Sequence, residues 1–205
     1  MKGNIRALYL LAAILLITAC SESAKETEFS NWQERNEAFV DSLATAVSHQ
    51  RVVTPQEASE GQMFRILSYR LNPDATDLTT GDYVYCKVLR KGTGKESPIY
   101  NDSIKINYRG RLIPTVEHPE GFVFDQSYKT PQLDESINIP AHFILSGLVN
   151  GMITSVSNMR EGDFWRIYIP YQLGYNDMDH NTVPAYSTLV FDVNLVKFSR
   201  GTEKL

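Results

Sequence analysis

The chain has 205 residues, which suits one domain with extensions. Its 42% hydrophobic and 21% charged residues supply one sizeable core and argue against a disordered chain. The formal net charge of −4 falls to −6 once residues 1–19, with Lys2, Arg6 and no acid, are removed, which argues against a nucleic-acid binder.

Lys2 and Arg6 form a positive start, and Ala7 to Ile17 an apolar segment too short to span a bilayer comfortably. Ile17-Thr18-Ala19-Cys20 follows, an aliphatic residue, two small ones and a cysteine, and this resembles the bacterial lipobox. The resemblance implies that 1–19 is a lipoprotein signal peptide, cut before a lipidated Cys20. Several acyl chains anchor stably where one is marginal, each buried CH2 contributing roughly 0.8 kcal/mol. An ordinary secretory signal with an incidental cysteine is the alternative. Ser21 is compatible with outer-membrane sorting, so the expected location is the cell envelope, facing the periplasm, with surface exposure open. Glu22 to Glu28 read as a polar tether. With Cys20 acylated, Cys86 has no partner for a disulfide, and a packed thiol is expected there.

Residues 30–50 read as an amphipathic helix, with Trp32, Phe39, Val40, Leu43, Ala44 and Val47 on one stripe and Ser30 and Gln33 as a capping box. The stripe is expected to pack on its own domain; a dimerisation arm is the alternative. Together, residues 20–62 form the lipidated cysteine, tether and arm. Residues 51–62, with Pro55 and Gly61, read as a linker. Residues 63–78 form a pre-domain strand, from Phe64 to Leu71, and a turn at Asn72-Pro73-Asp74.

From Thr79 the period is two. Tyr83 to Leu89 is a strand. Ile104, Ile106 and Tyr108 alternate with Lys105, Asn107 and Arg109 in a half-buried strand ending at Gly110. Met152, Val156 and Met159 have helical spacing, and Arg160-Glu161-Gly162 ends that helix. Phe164 to Ile169 is a strand stopped by Pro170, and Leu189, Phe191, Val193 and Leu195 alternate along the last one. Strands in runs with one helix indicate an antiparallel α+β domain.

Several segments now stand in a distinctive order: Lys91-Gly92-Thr93-Gly94, then Ile104 to Leu112, then Phe122-Val123-Phe124-Asp125-Gln126-Ser127-Tyr128. Leu148-Val149-Asn150-Gly151-Met152, Trp165 to Tyr175 and Val183 to Val193 complete it. This order resembles the FKBP-type peptidyl-prolyl isomerase family over residues 79–198, leaving 199–205 as a tail. The resemblance implies an α+β fold, a twisted antiparallel sheet wrapped around one short helix with an apolar cleft between them. Here the helical extension would precede it.

The implied reaction is rotation about X–Pro bonds, which takes tens to hundreds of seconds unaided over a barrier of about 20 kcal/mol. No bond is made or cut, so no metal or cofactor is expected. Partners would be proline-containing polypeptides, and the membrane through the lipid anchor. By the resemblance, Tyr108 is a wall aromatic, Phe124 meets the proline ring, Asp125 orients the carbonyl region and Tyr175 donates its hydroxyl to a substrate carbonyl. Leu148 and Val149 precede the helix, and Val149 presents its backbone N–H. Met152 is the floor, and Val183 and Phe191 complete the apolar rim.

Four features depart from the family pattern, one of them Asn150 at the helix start, where relatives often carry proline or a base. The floor is Met152 where the family usually has tryptophan, so weaker or differently selective catalysis is expected. The hairpin between Leu112 and Phe122 is long, with Pro114 and Pro119. The loop 176–182 lacks the usual glycines; its Asp177, Asp179 and Asn181 mimic the start of a calcium loop, but Thr182 and Thr188 stand where glycine and glutamate belong. It reads as a solvated loop over the cleft, with His180 a bystander or, in the alternative, brushing a substrate. An active envelope isomerase is the first reading. A non-catalytic chaperone or binding module with the same cleft is the second, and a lipoprotein acting through its arm the third. The chain is a monomer or a dimer through residues 30–50.

Overall fold

A computed structural model describes residues 28–50 and 53–201 of the chain. The signal segment 1–19, Cys20 and most of the acidic stretch after it lie outside the described residues, as do 51–52 and 202–205. Among the described residues no helix is long and apolar enough to cross a membrane.

Seven strands form one antiparallel sheet. They are β1 (Met63–Leu67), β2 (Tyr83–Arg90), β3 (Ser103–Arg111), β4 (Val123–Gln126), β5 (Ala141–Ile144), β6 (Phe164–Ile169) and β7 (Leu189–Ser199). The order across the sheet is β1-β2-β6-β7-β3-β4, and β5 also pairs with β3. Among the described residues two α-helices accompany it, α1 (Trp32–Ser48) and α2 (Asn150–Val156).

The period-two alternation puts Val84, Cys86 and Val88 of β2 and Trp165, Ile167 and Ile169 of β6 on the face that α2 covers. Met152, Ile153 and Val156 of α2 and the following Met159 fill the space between them. Gly151 lets α2 approach, since a Cβ there would come within 2.3 Å of Ile169 Cγ2. Cys86 is the packed thiol expected of it; full burial pushes its pKa up to about 12, and Ser155 Oγ lies 4.0 Å from its sulfur.

On the opposite face, Tyr83 and Tyr85 of β2 and Tyr168 of β6 meet α1. Val40 and Leu43 are buried against Tyr85, which is fully buried, and Phe39 packs its ring 6.0 Å from that of Tyr168. The apolar stripe of α1 is therefore used on its own sheet. The cap position falls on Asn31 (φ 51), one residue after the expected Ser30, and the Gln33 amide donates to Glu37 Oε1. Asn36, buried and polar, ties α1 to the far end of the chain. Its Oδ1 accepts from the Thr188 N–H at 2.7 Å, and its Nδ2 donates to the Trp32 carbonyl. Trp32 Nε1 donates to Ser187 Oγ at 2.8 Å.

Three expectations are corrected. Residues 53–62 are not an open linker: Ala58 is fully buried, and the Gly61 N–H and Gln62 carbonyl bond to Val88 of β2. Pro55 and Gly61 prevent regular structure there without preventing packing. Strand β3 is buried on both faces rather than one. Asn107 and Arg109 are enclosed because Asn107 donates to Asn194 Oδ1 of β7, and Arg109 donates to the carbonyls of Thr130 and Pro131. Helix α2 ends at Val156, and Arg160-Glu161-Gly162 forms a separate turn, with Gly162 at φ 91. The turn at Asn72 is present, Asn72 Oδ1 accepting from the Asp74 N–H.

Removing the amide of Asn36 leaves the buried Thr188 N–H unpaired. Asn36→Ala is expected to cost about 1–3 kcal/mol, read as a lower urea midpoint at unchanged slope. An unchanged midpoint would show that α1 is not held by this bond.

Candidate functional site

A cavity of about 260 Å3 opens between the sheet and the start of α2. Strand β3 brings Ile106 and Tyr108 to its wall, β5 brings Phe143 and β7 brings Phe191. Asp125 enters from β4. Gly147, Leu148, Val149 and Met152 come from the turn before α2 and from α2 itself, and Tyr175 and His180 from the loop after β6. The wall is aromatic: the Tyr108 ring lies 5.8 Å from Phe143 and 6.3 Å from Phe191. Met152 is buried at the base.

Polar groups are few and placed. The Tyr108 hydroxyl donates to Asp125 Oδ2 at 2.8 Å. Burial, then the hydrogen bond and charge of Asp125, push the Tyr108 pKa well up, so the phenol stays protonated and Asp125 stays oriented. Burial, then the charge of Asp125, also raises Tyr175. Among the described residues the Tyr175 hydroxyl has no hydrogen-bond partner, and neither has the Val149 N–H at the start of α2. The cavity thus offers two unpaired donors, one carboxylate held by a phenol and an apolar lining. Such a site holds a carbonyl-bearing chain around an apolar ring.

Seven of the nine residues expected in the cleft line this cavity: Tyr108, Asp125, Leu148, Val149, Met152, Tyr175 and Phe191. The other two are not among its lining residues. Phe124 meets Phe191 edge-on, centroids 5.4 Å apart at 87°. Val183 is buried in the core, its N–H and carbonyl both bonded to His180. Gly110 makes the aromatic pair possible, since a Cβ there would lie 2.5 Å from Phe191 and 2.7 Å from Phe124.

Sequence reasoning missed Phe143, for which no strand was expected; four residues of alternation at Ala141–Ile144 are a faint signal. His180 also borders the cavity. Its ring stacks on Tyr175, centroids 4.0 Å apart at 17°, and lines the cavity. In the same loop Asp179 accepts from the Ala185 N–H. Among the described residues no group of three or more His, Cys, Asp or Glu is placed to hold a metal.

The chain is similar to known proteins in sequence and in fold. The family model described as FKBP-type peptidyl-prolyl cis-trans isomerase matches residues 94–196. The Macrophage infectivity potentiator of Trypanosoma cruzi is 32% identical over 76% of this chain and 72% of its own length. The peptidyl-prolyl cis-trans isomerase Mip of Coxiella burnetii is 36% identical over 56% of this chain, which spans only 44% of that relative. The crystal structure of FkpA from Escherichia coli superposes with a TM-score of 0.53 at 22% identity, over 97% of this chain and 73% of that one, a likeness of fold.

Gly110→Ala drives a methyl into both phenylalanine rings. It is expected to cost about 1–3 kcal/mol of stability and to weaken binding of a proline peptide, measured by urea titration and by peptide titration. Full peptide affinity in the variant would show that the rings do not shape the cleft. With this geometry and these matches, the chain belongs to the FKBP-type peptidyl-prolyl cis-trans isomerase family.

Proposed function

We propose that this chain is a peptidyl-prolyl cis-trans isomerase that rotates X–Pro bonds in exported polypeptides. The observation that carries the proposal is the aromatic cleft with two unpaired donors, the Val149 N–H and the Tyr175 hydroxyl. The planar amide is conjugated and polar, and the twisted amide has lost both properties. An apolar pocket therefore favours the twisted form, and each 1.4 kcal/mol of preference gives about tenfold in rate. Val149 and Tyr175 hold substrate carbonyls on either side of the rotating bond. Asp125, held by Tyr108, orients the carbonyl region, and Phe124 supports Phe191 against the proline ring. Val183 supports the loop that carries Tyr175 and His180. No step requires a cofactor.

The Met152 floor favours a second reading, a cleft that binds proline segments as a chaperone with little turnover. Methionine is apolar but lacks the rigid indole and its N–H. A proline-peptide isomerisation assay separates the two. The purified chain is expected to accelerate cis-to-trans conversion, Tyr175→Phe to lower kcat/KM by up to about tenfold, and Met152→Trp to change it modestly. No acceleration at micromolar protein, with a large gain in Met152→Trp, would favour the binding module.

The lipobox-like Ile17-Thr18-Ala19-Cys20 supports lipid anchoring at Cys20 in the cell envelope, with Ser21 pointing to the outer membrane. Labelled palmitate fed to expressing bacteria is expected to enter the protein, and Cys20→Ser to abolish both label and membrane recovery. Label retained in that variant would move the attachment site.

A further inference from the structure

Beside the cleft lies a second hollow, of about 390 Å3, which the isomerase reading leaves unused. Leu148 lines both, so the two adjoin at the turn before α2. Tyr69, Arg70 and Tyr100 line the hollow together with Ser146 and Asn150. The two tyrosine rings lie 5.9 Å apart and are 45% and 47% exposed. Tyr69 is tied to α2: its N–H donates to Thr154 Oγ1, and its hydroxyl meets Asn150 Oδ1 at 3.5 Å. The two ring faces thus stand partly open to solvent next to the cleft.

The charge in the hollow is of one sign. Arg70 is exposed, and among the described residues it forms no ion pair or hydrogen bond. The guanidinium is a donor suited to a carboxylate, and the ring faces suit the apolar parts of a peptide. Leu148, next to the Val149 N–H, is the residue at which the cleft borders this hollow.

We propose that the hollow is a secondary subsite for the polypeptide substrate, taking an acidic side chain a few residues from the proline. This rests on the isomerase reading, and one experiment distinguishes the two. Single-proline peptides, in which one glutamate is walked along both sides of the proline, are assayed with the full chain for turnover and, by fluorescence anisotropy, for affinity. In one register the glutamate is expected to improve kcat/KM and affinity by up to about fivefold, the size of a solvent-facing pair. The gain falls with salt and disappears in Arg70→Gln, while turnover of a short peptide without the glutamate is unchanged. A gain in no register, or one that survives Arg70→Gln, overturns the subsite. If no peptide is turned over, the isomerase reading fails, and the affinities alone decide the subsite by the same criterion.

Discussion

Strand β3 is paired along both of its edges, and the cleft depends on that. β7 holds one side along nearly its whole length, while β4 and β5 share the other. A strand fixed on two sides cannot slide, and a slip of one residue would turn every side chain to the opposite face. Tyr108 therefore faces the cavity at a set height. The neighbours that fix it bring Asp125, Phe143 and Phe191 to the same place. The polar face of β3 reinforces the pairing, because Asn107 and Arg109 spend their donors on β7 and on the carbonyls beyond β4.

The second structural demand comes from the sheet's other side. Tyr83, Tyr85 and Tyr168 would be an exposed aromatic surface without a cover, and α1 supplies it. The helix does more than shield. Through Trp32 and Asn36 it holds Ser187 and Thr188, at the end of the loop that carries Tyr175 and His180. A segment that begins the folded chain thus steadies one that nearly ends it, across the edge of the cleft. This makes α1 part of the isomerase-like unit rather than a spacer in front of it.

Much of this was legible in the sequence, for identifiable reasons. The alternation in Tyr83–Leu89, Phe164–Ile169 and Leu189–Leu195 announced strands because one face of each is apolar. The order of short segments from Lys91 to Val193 announced the cleft, and seven of its lining residues were named from it. What stayed hidden depends on contacts distant in sequence. Asn36 is an unremarkable polar residue on a helix until Thr188 arrives beside it. Asn107 and Arg109 look solvent-facing until β7 and the carbonyls beyond β4 enclose them. Phe143 sits on a strand of four residues, too short for periodicity to speak. His180 belongs to a polar loop, and only folding stacks it on Tyr175. The segment 53–62 was misjudged because turn residues signal irregularity and say nothing about packing.

Gly110 carries a consequence beyond its own position. The space where its side chain would stand is occupied by the rings of Phe124 and Phe191, from two different strands. Three positions far apart in the chain therefore share one volume and are not free to vary separately. A bulkier residue at any one of them costs stability unless a smaller one at another makes room. A change of volume at 110, 124 or 191 is therefore felt at the other two, and the breadth of the cleft is set by the three together.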